Sequence, residues 1–193
     1  LAWSRDFRQY HRRSISLPLR KLMQTIIDTL DNLSEWLGIT IAWLTLAMAL
    51  VTCCIVVARY ALNLGSIAMQ ESVLYMHGIV FMLGIAYTLK HRAHVRVDIV
   101  YQRLSVRTQS MIDIFGTLIF LLPVSVFLFF GSLDYVAFSW SVQETSAMPG
   151  GLPGVYLVKT LIPIMAALLF FQGIAELLRN LSVLLDKKVE SST

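Results

Sequence analysis

The stretch WLGITIAWLTLAMALVTCCIVVA, residues 36–58, decides the fold of this chain, and it carries no Asp, Glu, Lys or Arg. An α-helix rises about 1.5 Å per residue, so about 20 apolar residues cross the roughly 30 Å hydrocarbon core of a bilayer. Residues 36–58 therefore predict a membrane-spanning helix. The rest of the chain is organised around it.

Three further stretches have the same character and lie at residues 72–89, 114–133 and 155–178. The first two carry none of the four charged residue types, and the last contains only Lys159 and Glu176, near its two ends. With 56% hydrophobic residues among 193, the chain is too apolar for an ordinary soluble domain and leaves no room for a second one. The sequence predicts an all-α integral membrane protein with four transmembrane helices.

Lysine and arginine are distributed unevenly between the connections. Of the 16, fourteen lie before the first span, between spans two and three, or after span four. Arg59 alone lies in the other two connections, and Lys159 lies within the fourth span. Cytoplasmic segments hold the excess of such residues, so we predict that both termini face the cytoplasm. The net charge of +4 is then explained by basic residues that set the topology and touch anionic lipid. We therefore expect no nucleic acid as a partner.

Residues 1–35 are predicted to form a cytoplasmic N-terminus, followed by a four-helix domain at 36–180 and a cytoplasmic tail at 181–193. After Pro18, apolar residues recur at helical spacing with charged residues between them. A one-sided helix before a span predicts an amphipathic helix that lies in the plane of the membrane surface. The alternative is a cytoplasmic extension of the first span that packs on a neighbouring helix.

Titratable groups inside the spans are few. His77 is the one strongly polar titratable group deep in a span, whereas Glu71, Lys159 and Glu176 lie near span ends. A proton path needs polar groups at successive depths, and a haem needs a second axial histidine from another span. We therefore expect His77 to be a hydrogen-bonded packing residue and expect no cofactor. The chain also shows no nucleophile–base pair, phosphate-binding loop or metal-ligand set, which predicts that it is not an enzyme.

The densest polar segment is KHRAHVRVDIVYQRL, residues 90–104. One interpretation is a basic loop that touches lipid phosphate, and another is that Asp98 pairs with a neighbouring arginine to fix the loop against another protein. A metal shared by His91, His94 and Asp98 is disfavoured by the five basic residues around them. The candidate contact residues in this segment are Arg92, His94, Arg96 and Asp98.

The connection before the fourth span contains SAMPGGLPG, residues 146–154. Its prolines fix φ and its glycines permit positive φ, which predicts a defined re-entry into the span. Further candidate contacts in and beside this connection are Glu144, Gly150, Gly151 and Lys159.

Three groups of residues resemble the small membrane subunit, the DctQ-like or Q subunit, of tripartite ATP-independent periplasmic (TRAP) transporters. The likeness covers about residues 36–180. It is carried by Glu71 with His94-Val95-Arg96-Val97-Asp98, by Ser139-Trp140 through Glu144 and Ser146 to Gly150-Gly151-Leu152-Pro153, and by Lys159 and Pro163 with Gln172-Gly173.

The resemblance implies a non-catalytic small permease subunit in the bacterial inner membrane. In such a system a periplasmic binding protein delivers an organic anion, and a large membrane subunit holds the substrate and sodium sites. The small subunit supports the large one, and its expected contacts with partners or lipid are Glu71, Arg92, His94, Arg96, Asp98, Glu144, Gly150, Gly151 and Lys159. Two alternatives remain open: an integral-membrane, cytochrome-like redox anchor subunit, and a self-sufficient small homodimeric transporter.

Overall fold

The computed structural model describes residues 17–91, 101 and 104–190. Its elements are helices, joined in chain order as α1 Leu17–Ala61, α2 Ile67–Lys90, α3 Val106–Gly116, a π-helical turn Thr117–Leu121, α4 Leu122–Ser141 and α5 Val155–Glu190. Four helical stretches are long and apolar enough to cross a membrane: Lys21–Ala61, Ile67–Lys90, Val106–Ser141 and Val155–Leu184. The prediction of four helices that are long and apolar enough to cross a membrane is thus confirmed.

The third span is one continuous stretch made of α3, the π-helical turn and α4. Pro123 is the second residue of α4 and follows the turn directly. Proline lacks an N–H, and its ring clashes with the carbonyl four residues earlier in a regular helix. A π-helical turn widens the helix locally and is a recognised place for a kink. It therefore accommodates Pro123 inside the span.

Helix α5 is the centre of the bundle. It contacts α1, α2, α3, the π-helical turn and α4, and α1 and α2 also pack on each other. Ala166 and Ala175 of α5 are fully buried. Gly173 faces the π-helical turn, where an added Cβ would lie 2.8 Å from Leu121 Cδ2. Small residues of α5 thus let the neighbouring helices approach it closely.

The N-terminal amphipathic segment is not a separate helix. It forms the first part of α1, whose 45 residues run without interruption and measure about 68 Å at 1.5 Å per residue. Ile27 and Ser34 are buried, and Asp31 is bonded to α5. The in-plane helix predicted as a separate element is therefore not seen. The structure has the alternative arrangement, an extension of the first span packed on its neighbours.

The two ends of the bundle differ, and we name them by what they contain. The loop end holds the connections at 62–66 and 142–154. The network end holds residues 31–35 of α1, the end of α2 and residues 172–180 of α5, which are joined by polar side chains.

Gly38 makes the contact between α1 and α2 possible. A Cβ added there would lie 2.2 Å from the Tyr87 ring, whereas a Cβ at Gly84 would have nothing within 4 Å. We expect Gly38→Ala to lower the free energy of unfolding by about 1–3 kcal/mol through overpacking. The control Gly84→Ala should raise it by about 0.5–1 kcal/mol, because alanine is the better helix former. Thermal unfolding of the two purified variants in detergent measures this difference, and equal behaviour would contradict it.

Candidate functional site

Glu71, near the start of α2, binds the connection that leads into α5. The Ser146 hydroxyl donates a hydrogen bond to Oε1 of Glu71. The backbone N–H of Leu152 donates to Oε2 at 2.6 Å. One carboxylate thus holds both strands of the turn against the second span.

The turn itself, residues 145–153, is closed by its own bonds, and we call it the re-entry turn. Thr145 and Pro153 form an isolated antiparallel bridge, and the Ser146 N–H donates to the Leu152 carbonyl at 3.2 Å. Gly150 has φ of +79°, a conformation that favours glycine. The structure therefore has the defined re-entry that the sequence predicts.

Because Gly151 has no side chain, the Glu71 carboxylate can occupy the space beside it. An added Cβ would lie 2.7 Å from Oε2 of Glu71 and 2.4 Å from Oγ of Ser146. A side chain at this position would separate the turn from its anchor. The sequence singled out Glu71, Gly150 and Gly151 individually, and the structure brings them together.

Glu144 and Lys159 form a second polar centre at the loop end. The Lys159 ammonium donates to Oε2 of Glu144 at 2.5 Å, and the Ser139 hydroxyl donates to the same oxygen at 2.6 Å. The ammonium also lies 4.1 Å from the centre of the Tyr135 ring, a cation–π distance. Lys159 is thus the counter-ion of Glu144, and the pair ties the connection to the fourth span.

Trp140 joins α4 to α5 beside this pair. Its indole N–H donates to Oγ1 of Thr160 at 2.8 Å. Its ring meets the Tyr156 ring edge to face, with centroids 4.7 Å apart. Tryptophan and tyrosine with this mixed character are typical of the membrane–water interface, which agrees with a position at the end of the spans.

The hydrogen bonds from Lys159 and Ser139 hold the pKa of Glu144 below its ordinary value. The contribution of this carboxylate to stability is therefore fully present above its unfolded-state pKa and is lost as pH falls through the lower folded-state pKa. We expect the melting temperatures of wild type and Glu144→Gln to differ at neutral pH and to converge in acid. Asp134→Asn, which changes an exposed carboxylate of α4, is the control. A difference that does not change with pH would contradict the prediction.

The network end is held by an ion pair between α1 and α5. Arg179 donates to Oδ2 of Asp31 at 2.7 Å and also pairs with Glu176, one turn earlier on α5. Gln172 donates to Oδ1 of Asp31 at 3.1 Å and accepts from the Ser34 hydroxyl at 2.7 Å. The side chains of Gln172 and Glu176 are almost entirely buried. Glu176 is therefore part of the packed core, although the sequence places it near the end of a span.

A second ion pair joins α1 to the end of α2. Lys90 donates to Oε2 of Glu35 at 2.7 Å and to the Asp31 carbonyl at 3.0 Å. A ring nitrogen of His91 lies 3.1 Å from the same Glu35 oxygen. The sequence pattern places Asp31 and Glu35 on the polar face of the predicted amphipathic helix. The signal in the sequence for this contact is a pair of acidic side chains, Asp31 and Glu35, four residues apart on one face of a long helix.

The structure describes five of the nine predicted contact residues, and their contacts with partners or lipid stay a prediction. Glu71, Glu144, Gly150, Gly151 and Lys159 all lie at the loop end. The other four candidates lie outside the described residues, namely Arg92, His94, Arg96 and Asp98.

His77 does not have the environment that the sequence predicts. It is exposed on α2 rather than packed inside the bundle, and its ring stacks on Phe81 with centroids 6.4 Å apart. Among the described residues, no group of three or more His, Cys, Asp or Glu side chains is placed to hold a metal ion.

Four long apolar helices with polar groups bonded to each other at the two ends define a multi-pass helical membrane protein. Comparison with protein families matches residues 48–183 to the family described as tripartite ATP-independent periplasmic transporters, DctQ component. The chain belongs to this family, which is the small subunit of TRAP transporters and a transporter component rather than an enzyme. The same kind of comparison gave no match among curated proteins or solved structures.

Proposed function

We propose that this chain is the non-catalytic small permease subunit of a TRAP-type secondary transporter. It supports the large membrane subunit during sodium-coupled uptake of an organic acid that a periplasmic binding protein delivers. The family match over residues 48–183 carries the proposal. The bundle supports it, because the bonded polar side chains described above concentrate at the two ends. At mid-depth, His77 is exposed on an outer face and has no hydrogen-bond partner in the part of the chain that the structure describes.

The orientation follows from the basic residues. Fourteen of the 16 lysines and arginines lie in the termini and the connection between spans two and three, which favours the cytoplasmic side of a bacterial inner membrane for these segments. The loop end is then periplasmic and the network end cytoplasmic. In the basic connection, Arg92, His94, Arg96 and Asp98 are proposed to contact lipid phosphate or the large subunit.

The re-entry turn is the proposed contact for the binding protein. Its tip exposes Met148, which is 62% accessible, beside the exposed Pro149 and Gly150. The base of the turn is fixed by Glu71 and by the Glu144–Lys159 pair. A small apolar tip on a fixed base suits docking, since little conformational entropy is lost when a partner binds.

We expect Met148→Glu to reduce uptake by the assembled transporter about tenfold when the binding protein is scarce, because a charge replaces an apolar contact. Leu64→Glu is the matched control, since Leu64 is also 62% exposed and lies in the other connection at the loop end. The measurement is the uptake rate against binding-protein concentration. Docking at the turn is excluded if neither Met148→Glu nor shortening of residues 149–154 changes that curve.

The assignment as a subunit is tested by co-expression with a tagged large membrane subunit. We expect the two chains to co-purify in a fixed ratio, and a tag on the C-terminus to be labelled only after the cytoplasmic side is opened. A chain that purifies alone, or a tag reached from the periplasm of intact cells, would contradict the proposal.

A further inference from the structure

The outward face of α2 carries polar side chains among apolar ones. Ile67, Gln70, Leu74, His77 and Phe81 are all exposed. They recur every three or four residues, so they share one face of the helix. Other sides of α2 pack against α1 and α5. We call this exposed row the α2 stripe.

His77 lies at the depth where a free polar group is least tolerated. It follows Ile67 by ten residues and precedes Lys90 by thirteen, which places it about 15 Å and about 20 Å from the two ends of α2. The imidazole has no hydrogen-bond partner among the described residues. Lipid chains offer neither donor nor acceptor, so a ring nitrogen facing them is disfavoured.

The other outward faces near this depth are mainly apolar, and the exposed Thr52 of α1 donates its hydroxyl to the Met48 carbonyl of its own helix. Trp43 and Leu50 of α1 and Phe127 and Phe130 of α4 are all about half exposed or more, which suits lipid chains. Asp134 is the one exposed carboxylate of α4. It precedes Tyr135, whose ring contacts the Lys159 ammonium at the loop end. The α2 stripe is thus distinguished by a titratable side chain in the middle of the membrane that has no hydrogen-bond partner among the described residues.

We propose that the α2 stripe is the surface that binds the large membrane subunit, and that His77 makes an interhelical hydrogen bond to it near the middle of the membrane. This inference rests on the function proposed above. A phospholipid is a poor occupant, because its polar headgroup lies outside the hydrocarbon core at this depth. Gln70 adds a second polar contact nearer the loop end. A helix with a polar side chain or a free carbonyl at the matching depth is the partner that this face fits.

The contact is tested by photo-crosslinking in the assembled complex. A benzophenone amino acid at Leu74 or Phe81 should give an adduct between this chain and the large subunit. The same group at Phe127 or Phe130 of α4 should not. Adducts only from the α4 positions, no adduct from either α2 position, or an adduct between two copies of this chain would each overturn the proposal.

The hydrogen bond is tested by a conservative pair of variants. His77→Leu should reduce the fraction of large subunit retained on purification by about threefold to tenfold, the range of membrane interhelical hydrogen bonds, whereas His77→Gln should retain more of it. The melting temperature of the isolated chain should change little in His77→Leu, since the imidazole has no hydrogen-bond partner among the described residues and leucine can still pack on Phe81 four residues later. Equal retention by His77→Leu and wild type would overturn the bond.

The proposed function and the assignment of the α2 stripe can fail separately. If the wild-type chain binds no large subunit, the proposed function fails together with this inference. If it binds and the adducts arise elsewhere, only the assignment of the α2 stripe fails.

Discussion

Glu71→Ala is expected to release the re-entry turn and to reduce uptake by the assembled transporter at least tenfold. The Ser146 hydroxyl and the Leu152 N–H would both lose their acceptor. Hydrogen bonds to a charged group contribute about 1.5–3 kcal/mol each, so the turn loses most of what holds it to α2. A released turn presents Met148 in many orientations, and binding-protein docking weakens accordingly.

The release is measured by limited proteolysis from the periplasmic side. We expect cleavage within residues 145–153 to be fast in Glu71→Ala and slow in wild type. Ser72→Ala is the matched control, because the neighbouring Ser72 hydroxyl bonds only to a carbonyl of its own helix. A turn that stays as resistant in Glu71→Ala as in wild type would show that the carboxylate does not hold it.

Arg179→Ala is expected to destabilise the chain by about 2–4 kcal/mol, since the loss of one partner leaves acidic groups uncompensated at a partly buried site. The guanidinium pairs with Asp31 and with Glu176, whose side chain is only 5% exposed. Arg179 itself is 28% exposed, so we place the expected loss below that of a fully buried pair. The first part of α1 should then detach from α5 before the rest of the bundle unfolds.

Thermal unfolding in detergent and hydrogen exchange along α1 measure this effect. Exchange should rise between residues 21 and 35 and remain slow in α4. The control Arg107→Ala changes an exposed arginine at the start of α3 and should lie within about 0.5 kcal/mol of wild type. If both arginine variants behave alike, the ion pair is not what fixes α1.

The four spans could be predicted because hydrocarbon imposes a simple requirement on length and charge. Residues 36–58 satisfy that requirement without ambiguity, and the structure places them inside α1. The join between residues 17–35 and the first span could not be predicted in the same way. An apolar stripe reads alike whether it meets lipid or another helix, and the choice depends on Asp31 reaching Arg179, 148 residues away.

The sequence indicates which residues at the loop end are unusual, but it does not predict which of them contact each other. Glu71 is a carboxylate at the start of an apolar helix, so it must have donors, yet Ser146 and the Leu152 N–H lie 75 and 81 residues further on. The Glu144–Lys159 pair is closer in sequence, but only the fold brings the two groups together. His77 shows the opposite failure. We expect a polar side chain such as His77 to be buried within its own chain, because it is disfavoured against lipid. A face covered by a partner subunit would meet that requirement equally well.

Uptake by proteoliposomes of defined composition tests the supporting role most directly. Vesicles with this chain and the large subunit, given binding protein, an organic acid and an inward sodium gradient, should accumulate the acid. Vesicles with this chain alone should show no uptake above empty ones, and vesicles with the large subunit alone should show much less than the pair. Transport by this chain alone would contradict the proposed function, and so would full activity of the large subunit without it.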